Sequence, residues 1–191
     1  MRRMGVLAAL LLASIAWAAD VYKLGDTVAD ATLTMADGKD AKLSSWDGNA
    51  IVVFFYGTWQ KRAGEFAGKV DTIRKARTKQ KLTVVGVARD GKADEAKKFG
   101  EDHKLGFAQA ADAKAEFYGK FASKGLPYVV VMDGKRKLTY SVAGVDEDAI
   151  ESALATILGA KDPPPEKDEK KEEKKSDEKK DDAGAGGSGK K

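Results

Sequence analysis

Apolar positions along this chain alternate between two periods, and the alternation predicts a run of strands and helices over residues 21–158. Residues 31–35 and 41–43 flank Asp37-Gly38, a pair suited to a tight turn, and together predict a β-hairpin. Residues 51–56 (IVVFFY) are continuously apolar, as expected of a strand covered on both faces. After Gly57-Thr58, the apolar positions Ala63, Phe66, Ala67, Val70, Ile73 and Ala76 fall at helical spacing and predict a helix ending near Arg77. A second buried strand follows at 82–88, then a polar surface helix at 94–103, a short extended piece at 107–110 and a helix at 114–121. Strands at 128–132 and 138–142, joined through Asp133-Gly134, and a helix at 146–158 complete the pattern. Strands alternating with helices and closing on a hairpin and a helix predict a three-layer α/β/α sandwich with an N-terminal β-hairpin.

The two ends of the 191-residue chain follow neither period. Residues 1–18 join a basic start (Arg2, Arg3) to an apolar stretch of small and aliphatic residues, with Ala16 and Ala18 in the A-x-A arrangement of a secretory signal peptide cleaved after Ala18. The apolar stretch falls short of the ~20 residues that span a bilayer, so no stable membrane span is expected after cleavage. Residues 161–191 open with a proline cluster, continue in Lys, Glu and Asp, and end in a Gly-rich run, with no Val, Ile, Leu, Met or aromatic residue to build a core. This disordered tail balances its charges, and around 166–180 its Lys and Glu recur at helical spacing. Its readings are a solvated spacer or a tether to envelope material. The expected division is a signal peptide at 1–18, a folded domain at 19–160 and a tail at 161–191.

Charge and composition remove several functions. Loss of Arg2 and Arg3 lowers the net charge from +4 to +2, and no basic stripe interleaved with aromatic residues is present, so nucleic acid is not an expected partner. With no cysteine and one histidine, His103, set among Glu101, Asp102 and Lys104, neither a zinc nor a haem site is expected and no cofactor is implied. Gly57, Gly64 and Gly68 match no phosphate-loop spacing. Asp146, Glu147 and Asp148 suit the first turn of the last helix and need no catalytic role.

Four segments at the corners of the predicted fold resemble one family. Gly25-Asp26 with Ala29-Asp30-Ala31-Thr32-Leu33 is similar to an opening G-x-x-A-P-D-F-x-L, and Leu43 to Gly48 (LSSWDG) to L-S-D-L-K-G. Phe55-Tyr56-Gly57-Thr58-Trp59 is similar to F-W-A-T-W, and Gly125-Leu126-Pro127 with the strand after it and Asp133-Gly134 to G-x-P-T-x-x-x-I-D-x-x-G. In this order they resemble the thioredoxin-like redoxins, in the branch of TlpA-type thiol reductases and alkyl hydroperoxide reductase/thiol-specific antioxidant (AhpC/TSA) proteins, over residues 21–158. The peroxiredoxin Pro-x-x-x-Thr-x-x-Cys loop is missing, which favours the TlpA-type side.

The resemblance implies a Trp-Cys-x-x-Cys corner, and here Trp59 is followed by Gln60 and Ala63 at the two thiol positions. The family's chemistry needs a low-pKa thiolate and a resolving thiol, and neither an amide nor a methyl group supplies one. No catalytic residue is therefore expected, and Gln60 and Ala63 are degenerate redox positions. The resemblance further implies that Pro127 is a cis-proline facing this corner. It places a peptide-binding groove at Trp59, Gln60, Lys61, Arg62, Leu126, Pro127 and Tyr128, filled by strand-like pairing. Lys61 and Arg62 stand where a helix dipole disfavours cations, and together with free backbone N–H groups they are candidates to hold a phosphate or carboxylate. Two readings follow. One is an exported, redox-inactive binding module for an extended peptide or envelope protein, periplasmic or secreted; the other is an oxidoreductase family member acting with a cysteine-bearing partner.

Overall fold

The computed structural model describes residues 21–89, 91–121 and 125–163. The signal segment at 1–18 and most of the tail, including its helical spacing at 166–180, lie outside the described residues.

Seven strands form one mixed sheet: β1 (Thr32–Met35), β2 (Asp40–Lys42), β3 (Ala50–Tyr56), β4 (Leu82–Ala88), β5 (Ala108–Ala111), β6 (Tyr128–Met132) and β7 (Leu138–Ala143), in the order β2-β1-β5-β4-β3-β6-β7. Strand β3 lies in its interior, parallel to β4 and antiparallel to β6, and every one of its residues is buried. That position explains why residues 51–56 read as an unbroken apolar run: both faces of the strand are covered. Ala50, Val52, Phe54 and Tyr56 point to one side of the sheet, and Ile51, Val53 and Phe55 to the other. The predicted hairpin forms as β1 and β2, and its turn needs Gly38, which adopts φ +81°.

The helices α1 (Ala63–Lys75), α2 (Ala93–Asp102) and α3 (Glu147–Leu158) all contribute to the core on the Val52/Phe54 side of the sheet. Ala63, Ala67, Val70 and Ile73 of α1, Ala96 and Phe99 of α2, and Ile150 and Leu154 of α3 supply their buried faces. Asp146 caps α3 by accepting from the Ala149 N–H at 3.1 Å, and Glu147 and Asp148 occupy its first turn.

The opposite face departs from expectation. The helix predicted over 114–121 is absent, and only Tyr118–Lys120 forms a 3-10 turn. Ala115 adopts φ +53°, outside the right-handed helical region, and the buried Asp112 carboxylate accepts from the Phe117 and Tyr118 N–H groups at 3.4 and 2.8 Å. A side chain that takes N–H groups from the following turn competes with the helix. Phe117, Tyr118 and Phe121 nevertheless reach the core, all three rings lying within 5.6 Å of Phe55. The third layer of the sandwich is thus built from aromatic turns and the 3-10 segment Leu43–Trp46.

The family-like segments are tied to one another. Asp30 accepts from the Ser44 N–H and hydroxyl, both at 2.9 Å, and lies 3.2 Å from Arg136, which also faces Asp47 at 3.3 Å. The end of the domain is fastened by Arg77, only 2% exposed. It donates to the Glu151 carboxylate, to Gln80 and to the Gly159 carbonyl, joining the C-terminus of α1 to both ends of α3's last turns. Among the described residues no helix is long and apolar enough to cross a membrane.

Candidate functional site

The chain leaves β3 at Tyr56 and turns sharply through Gly57 to Arg62 before α1 begins. Backbone bonds from Gln60 N–H to the Gly57 carbonyl and from Ala63 N–H to the Gln60 carbonyl, at 3.1 and 3.0 Å, shape that corner. Trp59 is 67% exposed, and its indole folds back over Gly57: a β-carbon there would lie 2.8 Å from the indole nitrogen. A side chain at position 57 would displace the exposed ring from this position.

Strand β6 runs antiparallel to β3 with Tyr128 opposite Phe55, so the segment before β6 lies beside the corner. The Leu126–Pro127 peptide bond is cis, as the resemblance implied. Gln60 joins the two segments. Its side-chain carbonyl accepts from the Gly57 N–H at 3.1 Å, and its amide NH2 donates to the Leu126 carbonyl at 3.0 Å. The first thiol position therefore holds an amide whose donor and acceptor are both engaged by the scaffold. Ala63, at the second position, is 1% exposed and belongs to the core.

The other candidate residues take different places. Lys61 is exposed at the turn. Arg62 is paired: its Nε and Nη2 donate to the two Glu65 carboxylate oxygens, both at 2.9 Å, and its guanidinium lies 5.1 Å from the Phe66 ring centroid. These hydrogen bonds hold the Glu65 carboxyl below its ordinary range. Of the two cations expected to hold an anion, Arg62 faces Glu65, which suits the first turn of α1, while Lys61 has no carboxylate within ion-pair distance among the described residues. Tyr128 is buried with its ring edge-on to Tyr118 at 6.3 Å, so it walls the corner from beneath. His103 is exposed and packs against Phe99 with centroids 4.6 Å apart. Among the described residues no group of three or more His, Asp or Glu side chains is placed to hold a metal.

Two residues at the corner carried no signal in the sequence reading. Arg89 follows β4, donates its N–H to the Tyr56 carbonyl at 2.9 Å and sets its guanidinium 5.1 Å from the Tyr118 ring. Tyr118 in turn donates its hydroxyl to the Gly125 carbonyl at 3.1 Å. The parallel β3–β4 pairing brings Arg89 beside Gly57, a neighbourhood set by sheet order and invisible in linear spacing.

Solved structures share this architecture. A protein assigned as the thiol:disulfide interchange protein DsbE from Chlorobium tepidum is 22% identical, with 71% of this chain and 97% of that one covered and a TM-score of 0.64. Peroxidoxin BcpB from Mycobacterium tuberculosis is 26% identical, covering 71% and 96%, at a TM-score of 0.61. A secreted Mycobacterium tuberculosis disulfide oxidoreductase is 20% identical, covering 66% and 95%, at a TM-score of 0.56. No curated protein sequence matches significantly. The profile described as the AhpC/TSA family matches residues 24–141, a span from the opening segment tied down by Asp30, through the Gln60 corner and the cis-proline, into β7. A thioredoxin-like sheet, a cis-proline facing the turn into α1 and this continuous match agree: the chain belongs to the AhpC/TSA family.

Proposed function

We propose that this protein is an exported, redox-inactive thioredoxin-like module that binds an extended peptide or envelope protein at the Trp59–Gln60–Leu126 corner. The observation that carries the reading is the Gln60 bridge. A side chain clamped between the Gly57 N–H and the Leu126 carbonyl is neither a nucleophile nor an electron carrier, and it holds the turn and the cis-proline loop together. Beside it stand an exposed Trp59 ring and, among the described residues, a Leu126 N–H with no acceptor. An apolar anchor next to an open main-chain donor suits strand-like pairing with an extended chain. The signal-like residues 1–18 support export to the periplasm or the medium.

Two assays on the full chain test this reading. In insulin reduction with dithiothreitol, the protein is expected to leave the rate at its protein-free value; acceleration by a preparation free of other thioredoxins would sink the redox-inactive reading. In fluorescence anisotropy with labelled unstructured heptapeptides, binding is expected and is expected to fall on Trp59→Ala. Equal binding by that variant moves the site elsewhere. Family membership favours a second reading, an oxidoreductase component that works with a cysteine-bearing partner, and the insulin assay repeated with such a partner separates the two.

A further inference from the structure

Resting on that peptide-binding reading, we propose that the corner selects acidic peptides, with Arg89 receiving a side-chain carboxylate of the bound segment. The polarity of the corner leads there. Four main-chain acceptors beside the cis-proline and the end of β3 are consumed within the chain: the Leu126 carbonyl by Gln60, the Pro127 carbonyl by the Gly144 N–H, the Gly125 carbonyl by the Tyr118 hydroxyl and the Tyr56 carbonyl by the Arg89 N–H. Donors stand open beside them. Among the described residues the Leu126 N–H has no acceptor, and neither Lys61 nor the Arg89 guanidinium has a carboxylate within ion-pair distance.

Arg89 differs from the other arginines of the described residues. Arg62, Arg74, Arg77 and Arg136 each face a carboxylate at 3.2 Å or less. Arg89 instead has its guanidinium over the Tyr118 ring, 5.1 Å from the centroid, a contact that leaves its N–H fork without a carboxylate among the described residues. Such a fork matches a carboxylate with two parallel hydrogen bonds. Tyr118 also places it, because the hydroxyl of that same ring holds the residue preceding Leu126. A peptide whose backbone carbonyl meets the Leu126 N–H therefore runs past a cation already oriented for an acidic side chain. A basic segment meets Lys61 and Arg89 as like charges.

The test is calorimetry on the full chain with three acetylated, amidated heptapeptides: Val-Thr-Glu-Val-Glu-Thr-Val, its counterpart with Gln at both Glu positions, and its counterpart with Lys there. The acidic peptide is expected to bind about tenfold tighter than the Gln peptide, the scale of a charge-assisted hydrogen bond, with the Lys peptide weakest. Arg89→Gln is expected to bring the acidic and Gln peptides to equal affinity, and Arg89→Lys to keep part of the preference. Equal binding of the acidic and Gln peptides by the unsubstituted protein, or a preference that survives Arg89→Gln, overturns the inference and leaves the peptide-binding reading standing. Absence of binding by all three peptides overturns both.

Discussion

Replacing Gln60 by glutamate changes one atom of the bridge and makes its role measurable. The side-chain oxygen that accepts from the Gly57 N–H at 3.1 Å survives in Gln60→Glu, but the NH2 that donates to the Leu126 carbonyl at 3.0 Å becomes a second oxygen. Near neutral pH the ionised carboxylate then confronts a carbonyl, one hydrogen bond is lost and an acceptor is left facing an acceptor. For a half-buried pair that water partly reaches, the cost is about 1–2 kcal/mol. Protonation reverses the effect, since a carboxylic acid donates its O–H to the Leu126 carbonyl and mimics the amide. The introduced carboxyl should accordingly titrate above its unfolded value of about 4.3 when the protein is folded. A raised folded-state pKa means that its stabilising contribution is fully present below the unfolded value and is lost as pH rises through the folded one. Urea unfolding of both proteins, at about pH 3.5 and about pH 7, reads this directly as a stability gap near zero in acid and about 1–2 kcal/mol at neutrality. A gap of the same size at both pH values, or none at pH 7, refutes the bridge.

Other substitutions probe the scaffold that holds the corner. Arg77→Ala strands the Glu151 carboxylate and should cost about 3 kcal/mol in chemical denaturation, with part recovered by adding Glu151→Gln. Gly86→Ala places a β-carbon 2.5 Å from the Gln109 side-chain oxygen, which accepts from the Tyr56 hydroxyl at 2.9 Å, so a loss of about 1–3 kcal/mol is expected in the same assay. Burial works against the charge of Asp71, but hydrogen bonds from Lys75 and Arg74, the Arg74 charge and the Gly106 N–H outweigh it and hold the carboxyl below its ordinary range. That contribution is present above the unfolded value of about 3.9 and is lost as pH falls through the folded one. Asp71→Asn should therefore be less stable than the unsubstituted protein at neutral pH, with the difference shrinking below about pH 4 in pH-dependent unfolding.

The strands were legible in the sequence because burial on one or two faces leaves a direct mark on residue order. Strand β3 is interior and shows an unbroken apolar run, while α1 exposes one flank and shows a helical period. Residues 114–121 misled because Phe117 and Phe121 sit at helical spacing, yet the decisive contact is the Asp112 carboxylate reaching ahead to two N–H groups. Periodicity does not register a side chain that competes for backbone hydrogen bonds. At the corner, the missing thiols and Pro127 could be read from the resemblance, but the partner of Gln60 could not, since Leu126 lies 66 residues away along the chain. Arg62 looked like a free cation until the helical turn brought Glu65 beneath it. Arg89 and Tyr118 were overlooked because only the β3–β4 pairing and the aromatic layer bring them together.

The most direct test of the corner as a thiol-free binding site is a titration of the uniformly 15N-labelled full chain with the acidic heptapeptide, followed by two-dimensional NMR. The Leu126 backbone amide, the Gln60 side-chain NH2 and the Trp59 indole signals are expected to shift together along one binding curve, which Trp59→Ala is expected to weaken. Shifts confined to the hollow lined by Arg74, Arg77, Gln80 and Phe107, or a curve unaffected by Trp59→Ala, would contradict it.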